Sequence, residues 1–136
     1  MIGVEVPTAR AMDTVDITRL VQGEVGRTGV AEGVALVYCP HTTAGVFVNE
    51  GADPDVASDI RLALDSIVTD SPSFRHSEGN SPAHVKSVLV GNSVMLPISG
   101  GQLVLGTWQH VFLAEFDGPR TRRLLVQVLD GGLEIK

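Results

Sequence analysis

The segment "VALVYCPHTTAGVFVNE", residues 34–50, decides how this chain folds. Its two apolar runs, residues 34–39 and 44–48, are rich in residues that favour strands, and they predict one strand on each side of a turn. The turn contains Pro40 followed by three polar residues, His41 and two threonines, which a buried core would not need. The turn is therefore either a strand end that satisfies its own hydrogen bonds or one wall of a functional site.

Composition limits the class of protein. The 136 residues suit one domain, residues 1–136, and 43% hydrophobic with 19% charged residues is typical of a globular chain. No apolar run approaches the ~20 residues of a membrane helix, so we expect no membrane partner. The net charge of −6 disfavours nucleic-acid binding. The absence of a signal-peptide pattern and a single cysteine, Cys39, predict a cytoplasmic location.

Periodicity predicts interspersed strands and helices. We expect strands over residues 2–7, 34–39, 44–48, 94–98, 103–105, 108–116 and 124–129, and helices over residues 16–25, 53–67 and 81–90. Most neighbouring strands are separated by short turns, which favours antiparallel hairpins over a doubly wound parallel sheet. The predicted fold class is therefore α+β, with two or three helices.

The helix that begins at Asp53 has the clearest signals. Asp53 suits the N-cap and Pro54 suits the first helical position, while Asp55 lies at the positive end of the helix dipole. Apolar residues follow and predict a buried face: Val56, Ile60, Leu62, Leu64 and Ile67. In the first helix, we expect glycines 26 and 29 to stop the helix after residue 25.

Histidines mark a candidate metal site. His76 and His84 flank a short loop with Glu78 and Asn80, and imidazole, carboxylate and amide oxygen can together hold a divalent metal. The spacing matches no tight zinc motif, so spacing alone favours two loop histidines bonded to backbone. His84 falls in the first turn of its helix, where the dipole favours a neutral imidazole. His110 is interpreted as an ordinary strand residue.

Polar residues also follow later strands. Glu50 can act as a general base or a magnesium ligand, although a solvated strand end is the commoner role. Gly106 allows a backbone to approach a ligand closely, and Gln109 can both donate and accept hydrogen bonds. The alternative is that Gly106 forms a bulge and that Trp108 is a core residue.

Three arginines fall within four residues: Arg120, Arg122 and Arg123. They can bind phosphate through bidentate contacts or form a solvated hairpin edge. Strand alternation places Arg120 and Arg122 on one face and Arg123 on the other. Cys39 lies two residues before His41, but Pro40 disturbs the strand between them, and we do not interpret Cys39 as a nucleophile.

A family resemblance emerges from these segments. The string "SVMLPISGGQLVLGTWQHV", residues 93–111, resembles the signature of the YjbQ-like family, also called the secondary thiamine-phosphate synthase family. Residues 41–56, 80–91 and 115–129 are similar to three further blocks of that family, so the resemblance covers nearly the whole chain. It implies a compact single domain of antiparallel sheets packed as a sandwich, assembled as a homotrimer.

The resemblance also implies a function. The family's best-known activity joins a pyrimidine pyrophosphate to a thiazole phosphate and releases pyrophosphate. Its recurrent polar positions, taken with the arginine run, imply catalytic roles for His41, Glu50, His84 and Gln109. Substrate binding is expected from Thr42, Thr43, Asn49, Asn80, Thr107, Trp108 and Arg120.

A divalent metal, zinc or magnesium, is expected at His41, His76 and His84, and no organic cofactor is expected. Many family members have aspartates in a longer loop before the position of Asn80. Here that loop is short, and Glu78 or Asn80 would have to replace them.

Two other classes of function remain open from the sequence. The first is a metal-dependent hydrolase or metabolite-repair enzyme that acts on another phosphorylated substrate. The second is a trimeric binding protein without catalysis. Both enzyme hypotheses imply a small phosphorylated substrate.

Overall fold

The computed structural model describes residues 1–132, and within them the chain forms eight strands and three helices. The strands are β1 (Ile2–Pro7), β2 (Asp13–Asp16), β3 (Gly33–Tyr38), β4 (Ala44–Glu50), β5 (Ser93–Ser99), β6 (Gln102–Leu103), β7 (Gln109–Glu115) and β8 (Thr121–Asp130). The helices are α1 (Thr18–Thr28), α2 (Pro54–Ile67) and α3 (Ser81–Val90). The predicted α+β class is confirmed.

Two antiparallel sheets enclose the main core. The larger sheet has the order β1-β8-β3-β5-β6, and the smaller has the order β2-β7-β4. Val37 and Leu124 of the larger sheet meet Val46 and Leu113 of the smaller sheet in one buried cluster. Val25 of α1 belongs to the same cluster and is fully buried. The predicted packing of two sheets as a sandwich is therefore confirmed.

Two of the expected hairpins, residues 34–39 with 44–48 and residues 108–116 with 124–129, are wrong. β3 pairs with β5 and β8, whereas β4 pairs with β7 in the other sheet. The turn at His41 thus carries the chain from one sheet to the other, and residues 117–120 do the same between β7 and β8. Strands at such corners alternate toward a common core just as hairpin strands do, so alternation cannot separate the two arrangements.

The hairpin of β5 and β6 is confirmed. Ile98 pairs with Leu103, and the turn between the strands uses Gly100 and Gly101 with φ values of 58° and 76°. These left-handed conformations favour glycine because a Cβ atom is strained there. β6 contains only Gln102–Leu103, so it ends two residues earlier than predicted.

The apolar face predicted for α2 is wrong in part. Asp53 does cap this helix, since its side chain accepts a hydrogen bond from the Asp55 N–H at 2.9 Å. Leu62 and Ile67, however, are 69% and 71% exposed. At ~100° per residue, Leu62 lies about 200° around the helix from Ile60, so one face cannot hold both.

Helix α1 begins and ends later than predicted. Asp16 belongs to β2, a strand that the sequence did not indicate, and the helix runs from Thr18 through Gly26 to Thr28. Gly29, with φ 70°, ends it in a left-handed C-cap. None of the helices in residues 1–132 has the length and apolar character that crossing a membrane requires.

Candidate functional site

One cavity of about 380 Å³ brings together three histidines that lie far apart in the sequence. The turn after β3, the loop before α3, the first turn of α3 and the corner between β7 and β8 form its walls. Its lining residues are Pro40, His41, Thr42, Thr43, His76, Glu78, Asn80, His84, Asp117, Arg120 and Arg122. We name it the histidine cavity. An adjoining hollow continues from His41 and His84 to Val88.

The loop before α3 and the first turn of α3 hold His76 and His84. Asn80 is the N-cap of α3, and its backbone carbonyl accepts the Ala83 N–H at 3.0 Å, so His84 follows in the first turns of the helix. The rings of His76 and His84 meet edge to face, with their centroids 5.3 Å apart. Glu78 lies on the same loop, 3.9 Å from His76 Nε2.

His41 is held by the backbone of β8. Its Nε2 lies 3.0 Å from the Arg123 amide nitrogen and 3.1 Å from the Arg123 carbonyl oxygen. Partial burial, reinforced by the positive charge of Arg122, lowers the pKa of His41 below its ordinary value of 6.5. The ring is therefore neutral at pH 7, and with the proton on Nδ1 its Nε2 accepts the Arg123 N–H.

The three histidines share a cavity but do not form a ready metal-ligand set. Across residues 1–132, no three His, Cys, Asp or Glu side chains are arranged around a common metal position. His41 Nε2 is already engaged by Arg123, and this leaves His76 and His84 as the adjacent pair. The expectation of a divalent metal at His41, His76 and His84 stays a prediction.

The three arginines of residues 120–123 point to two different faces, as strand alternation predicts. Arg120 and Arg122 line the histidine cavity, whereas Arg123 lies over Gly3, where a Cβ atom would come within 2.4 Å of Arg123 Nε. Arg120 donates from Nε to the Asp117 carbonyl at 2.6 Å, and its side chain remains 53% exposed. Arg120 is therefore the guanidinium that an anion in this cavity can reach.

Asp117 has a role in this cavity that the sequence does not indicate. Asp117 Oδ2 accepts hydrogen bonds from Asn80 Nδ2 and from Arg120, each at 3.0 Å. It thereby ties the N-cap of α3 to the corner after β7 and restrains Arg120. No spacing indicates this contact, because Asn80 and Asp117 are 37 residues apart. Asn80 Oδ1 is buried, and no atom of residues 1–132 forms a hydrogen bond with it.

Glu50 does not reach the histidine cavity within one chain. It ends β4, whose other end begins at Ala44, and six steps of ~3.3 Å separate the two ends by about 20 Å. Glu50 instead lines a different cavity of about 280 Å³, together with Asp16 and Arg61. A base at Glu50 therefore cannot act on a water molecule at His41 of the same chain.

The other predicted residues gather near Glu50. Gln109 pairs with Glu50 across the sheet, and Asn49 pairs with His110. Gln109 Oε1 accepts the Gly106 N–H at 2.8 Å, which fixes the turn that contains Thr107 and Trp108. Trp108 is 61% exposed, so its interpretation as a core residue is wrong. The predicted site residues thus form two groups at opposite ends of β4.

Comparison with known proteins places the chain in a family. The profile of the family described as "UPF0047 protein YjbQ-like" matches residues 3–131. The UPF0047 protein YugU of Bacillus subtilis is 44% identical over 126 residues, which cover 92% of this chain and 96% of that protein. A UPF0047 protein of Methanocaldococcus jannaschii is 44% identical over 125 residues, covering 92% of this chain and 91% of that protein.

Solved structures agree with the sequence comparison. An uncharacterised conserved protein of the YjbQ/UPF0047 family from Clostridium acetobutylicum gives a TM-score of 0.92 at 45% identity, covering 95% of this chain and all of that chain. A YbjQ-like protein of unknown function from Sulfolobus solfataricus gives 0.88 at 34% identity, with 93% of each chain covered. The chain therefore belongs to the UPF0047 family of YjbQ-like proteins.

Proposed function

We propose that this chain is an enzyme that acts on a small phosphorylated substrate in the histidine cavity. The reaction we assign joins a pyrimidine pyrophosphate to a thiazole phosphate and releases pyrophosphate. The observation that carries the proposal is that four separate segments bring imidazoles, threonine hydroxyls and an exposed guanidinium to one cavity.

Anion binding rests on Arg120 and the threonines. A guanidinium forms charge-assisted hydrogen bonds with phosphate oxygens, and Arg120 presents an accessible one. Thr42 is exposed on the same wall and can donate its hydroxyl proton. Thr43 Oγ1 accepts from Arg122 at 2.8 Å, which fixes the turn on which both threonines lie.

The histidines supply proton transfer. In the proposed reaction, the bond between the pyrimidine methylene carbon and the pyrophosphate oxygen breaks, and a bond from the thiazole nitrogen to that carbon forms. The departing pyrophosphate gains negative charge on the released oxygen. An imidazole at His84 or His76 delivers a proton to that oxygen, a role that suits histidine near neutral pH. Within residues 1–132 no three His, Cys, Asp or Glu side chains surround a common metal position, so the proposed proton transfer rests on the side chains of the chain itself.

The proposal includes a homotrimer. A head-to-tail ring joins two different surfaces of neighbouring copies, so the Glu50 end of one copy can meet the histidine cavity of the next. Exposed apolar side chains support such contacts at both ends. Val88, beside the cavity, is 81% exposed, and Trp108, beside Gln109, is 61% exposed. Such an assembly would join the two groups of predicted site residues.

The testing experiment measures thiamine phosphate and free pyrophosphate formed by the purified protein from both substrates. It is run in chelator and again with added Zn²⁺ or Mg²⁺. We expect product in the wild type and at least a tenfold loss in His84→Ala, with Arg123→Ala as the control outside the cavity. Release of phosphate without formation of thiamine phosphate would indicate a hydrolase instead of a transferase. Ligand binding without any product would leave a binding protein.

A further inference from the structure

A second acid–base pair lies outside the histidine cavity, where β2 and β7 meet. His110 Nδ1 is 2.5 Å from Asp16 Oδ2, although 94 residues separate the two in the sequence. Asp16 Oδ1 accepts hydrogen bonds from the Thr18 N–H at 3.0 Å and from the Thr18 hydroxyl at 2.6 Å. Both carboxylate oxygens are therefore held in place. We name the pair the His110–Asp16 dyad.

The carboxylate of this dyad is ionised. Partial burial acts to raise the pKa of Asp16, but the hydrogen bonds from Thr18 and from His110 together bring it below its ordinary value of 3.8. An ionised carboxylate only accepts hydrogen bonds, so the proton between the two side chains resides on His110 Nδ1. In the neutral ring, the lone pair is then on Nε2.

Neighbouring residues fix the plane of the His110 ring. A Cβ atom at Gly51 would lie 2.1 Å from His110 Cγ, so the ring lies directly against the Gly51 backbone. Phe112, on the same face of β7, stacks with the ring at a centroid distance of 6.5 Å. A histidine fixed by a carboxylate, a glycine backbone and an aromatic ring is oriented as general bases are.

The dyad opens into a cavity that fits a small molecule. Asp16, Thr18, Arg19 and His110 line about 430 Å³. Past Thr18 and Arg19, the space continues into a trough of about 470 Å³ between α1 and β6. The trough is lined by Gln22, Gly23, Gln102, Leu103 and Leu105. At Gly23, a Cβ atom would meet no atom of residues 1–132 within 4 Å, so these residues leave the trough open on that side.

The charges around the dyad favour a neutral substrate. Asp16 and Arg19 carry opposite charges in one cavity, which leaves little net attraction for a phosphate dianion. Beyond Asp16, the adjoining cavity has acidic Glu50 and Asp53 balanced by Arg10 and Arg61. The leucines of the trough suit a short acyl chain, because burial of apolar surface is favourable.

We propose that this surface is a second catalytic site, which hydrolyses a small neutral ester with a short apolar acyl group. His110 Nε2 takes a proton from a water molecule whose oxygen forms a bond with the ester carbonyl carbon. Arg19 stabilises the negative charge that develops on the carbonyl oxygen. The carbon–oxygen bond to the alcohol then breaks, and His110 returns the proton to the departing alkoxide. The products are a carboxylic acid and an alcohol, and Asp16 stabilises the imidazolium between the two steps.

The test uses 4-nitrophenyl butyrate with the intact protein. General-base catalysis contributes about 10²- to 10⁴-fold, so His110→Ala should lose at least a hundredfold in kcat/KM. Asp16→Asn should lower kcat with KM nearly unchanged, because the acyl chain still enters the trough. Wild-type hydrolysis should slow in D₂O, and this isotope effect should vanish in His110→Ala. Leu103→Ala should instead raise KM.

Two controls make the test decisive. Arg123→Ala, which removes a positive charge outside both cavities, should hydrolyse the ester at the wild-type rate, and His110→Ala should bind pyrophosphate as the wild type does. Circular dichroism confirms that each variant is folded. Ester hydrolysis that is equal in wild type and folded His110→Ala overturns the proposal, as does hydrolysis that is lost in folded Arg123→Ala.

Discussion

Arg122 of β8 and Glu115 of β7 form a buried ion pair that joins the two sheets beneath the histidine cavity. Arg122 is 4% exposed and Glu115 is fully buried. Glu115 accepts from Arg122 Nε at 2.9 Å, from the Thr8 hydroxyl at 2.8 Å and from the Asp117 N–H at 3.1 Å. Because Arg122 also holds Thr43, this pair links the packing of the sheets to the wall of the site.

The first prediction concerns the stability of this pair. Arg122→Met leaves Glu115 as a buried charge without its partner, and removal of one partner of such a pair costs about 3–5 kcal/mol. Urea unfolding should show this loss. The double variant Arg122→Met with Glu115→Leu should lose less than the sum of the two single variants. If Arg122→Met lost no more free energy of unfolding than Arg123→Met, on the exposed face, the pair would add no stability.

Acid should weaken the same contact. Burial opposes ionisation of Glu115, but the hydrogen bonds from Arg122, Asp117 and Thr8 outweigh it, and the pKa of Glu115 lies below its ordinary value of 4.5. The unfolded chain therefore binds this proton at a higher pH than the folded chain does. The stabilisation is complete above pH 4.5 and should decline as the pH falls below it. Urea midpoints measured from pH 6 to pH 3 should fall more steeply in wild type than in Glu115→Gln.

A third prediction tests the shared site of the trimer. His84→Ala and Glu50→Ala remove residues from opposite ends of β4, so each variant alone should lose thiamine phosphate formation. Mixed trimers, formed by unfolding and refolding the two variants together, contain some sites with both native ends. Activity should therefore return in the mixture. A mixture no more active than its components, or a monomer by light scattering, would contradict a site completed by a neighbouring copy.

Gly51 should tolerate no side chain. Alanine there would drive a Cβ atom into the His110 ring, so Gly51→Ala should destabilise the fold and break the contact between His110 and Asp16. Gly26→Ala provides the matched control, because Gly26 lies inside α1 with open space around it. That change should stabilise the fold by about 0.5–1 kcal/mol. Thermal unfolding and the NMR signals of His110 measure both effects, and a Gly51→Ala variant as stable as wild type would contradict this packing.

Local signals in the sequence located much of the fold. Asp53 and Pro54 marked the start of α2, and residues 81–90 were predicted as a helix with the bounds that α3 has. These features depend on neighbouring residues, which the sequence contains directly. The sheet assignments of β4 and β7 were missed, because both sides of a corner between sheets alternate toward the same core.

The candidate site was predicted only as far as single residues. The sequence predicts functional roles for His41, His76 and His84, and the fold brings these residues to one cavity. The sequence does not indicate the contact of Asn80 with Asp117 or that of Asp16 with His110, because each joins residues that are distant in the chain. The length of β4 separates Glu50 from the histidines. The sequence predicts this strand, but only the folded sheet shows that its two ends belong to different cavities.

The most direct test of the central claim is the calorimetric affinity of pyrophosphate for wild type, Arg120→Ala and Arg123→Ala. Arg120 lines the histidine cavity and Arg123 lies on the opposite face of β8, so the two substitutions remove the same charge from the chain at different places. A lost charge-assisted hydrogen bond costs ~1.5–3 kcal/mol, so affinity should fall about tenfold or more in Arg120→Ala and stay near the wild-type value in Arg123→Ala. Equal affinity in all three proteins, or a larger loss in Arg123→Ala, would contradict the assignment of the histidine cavity as the site for phosphorylated substrates.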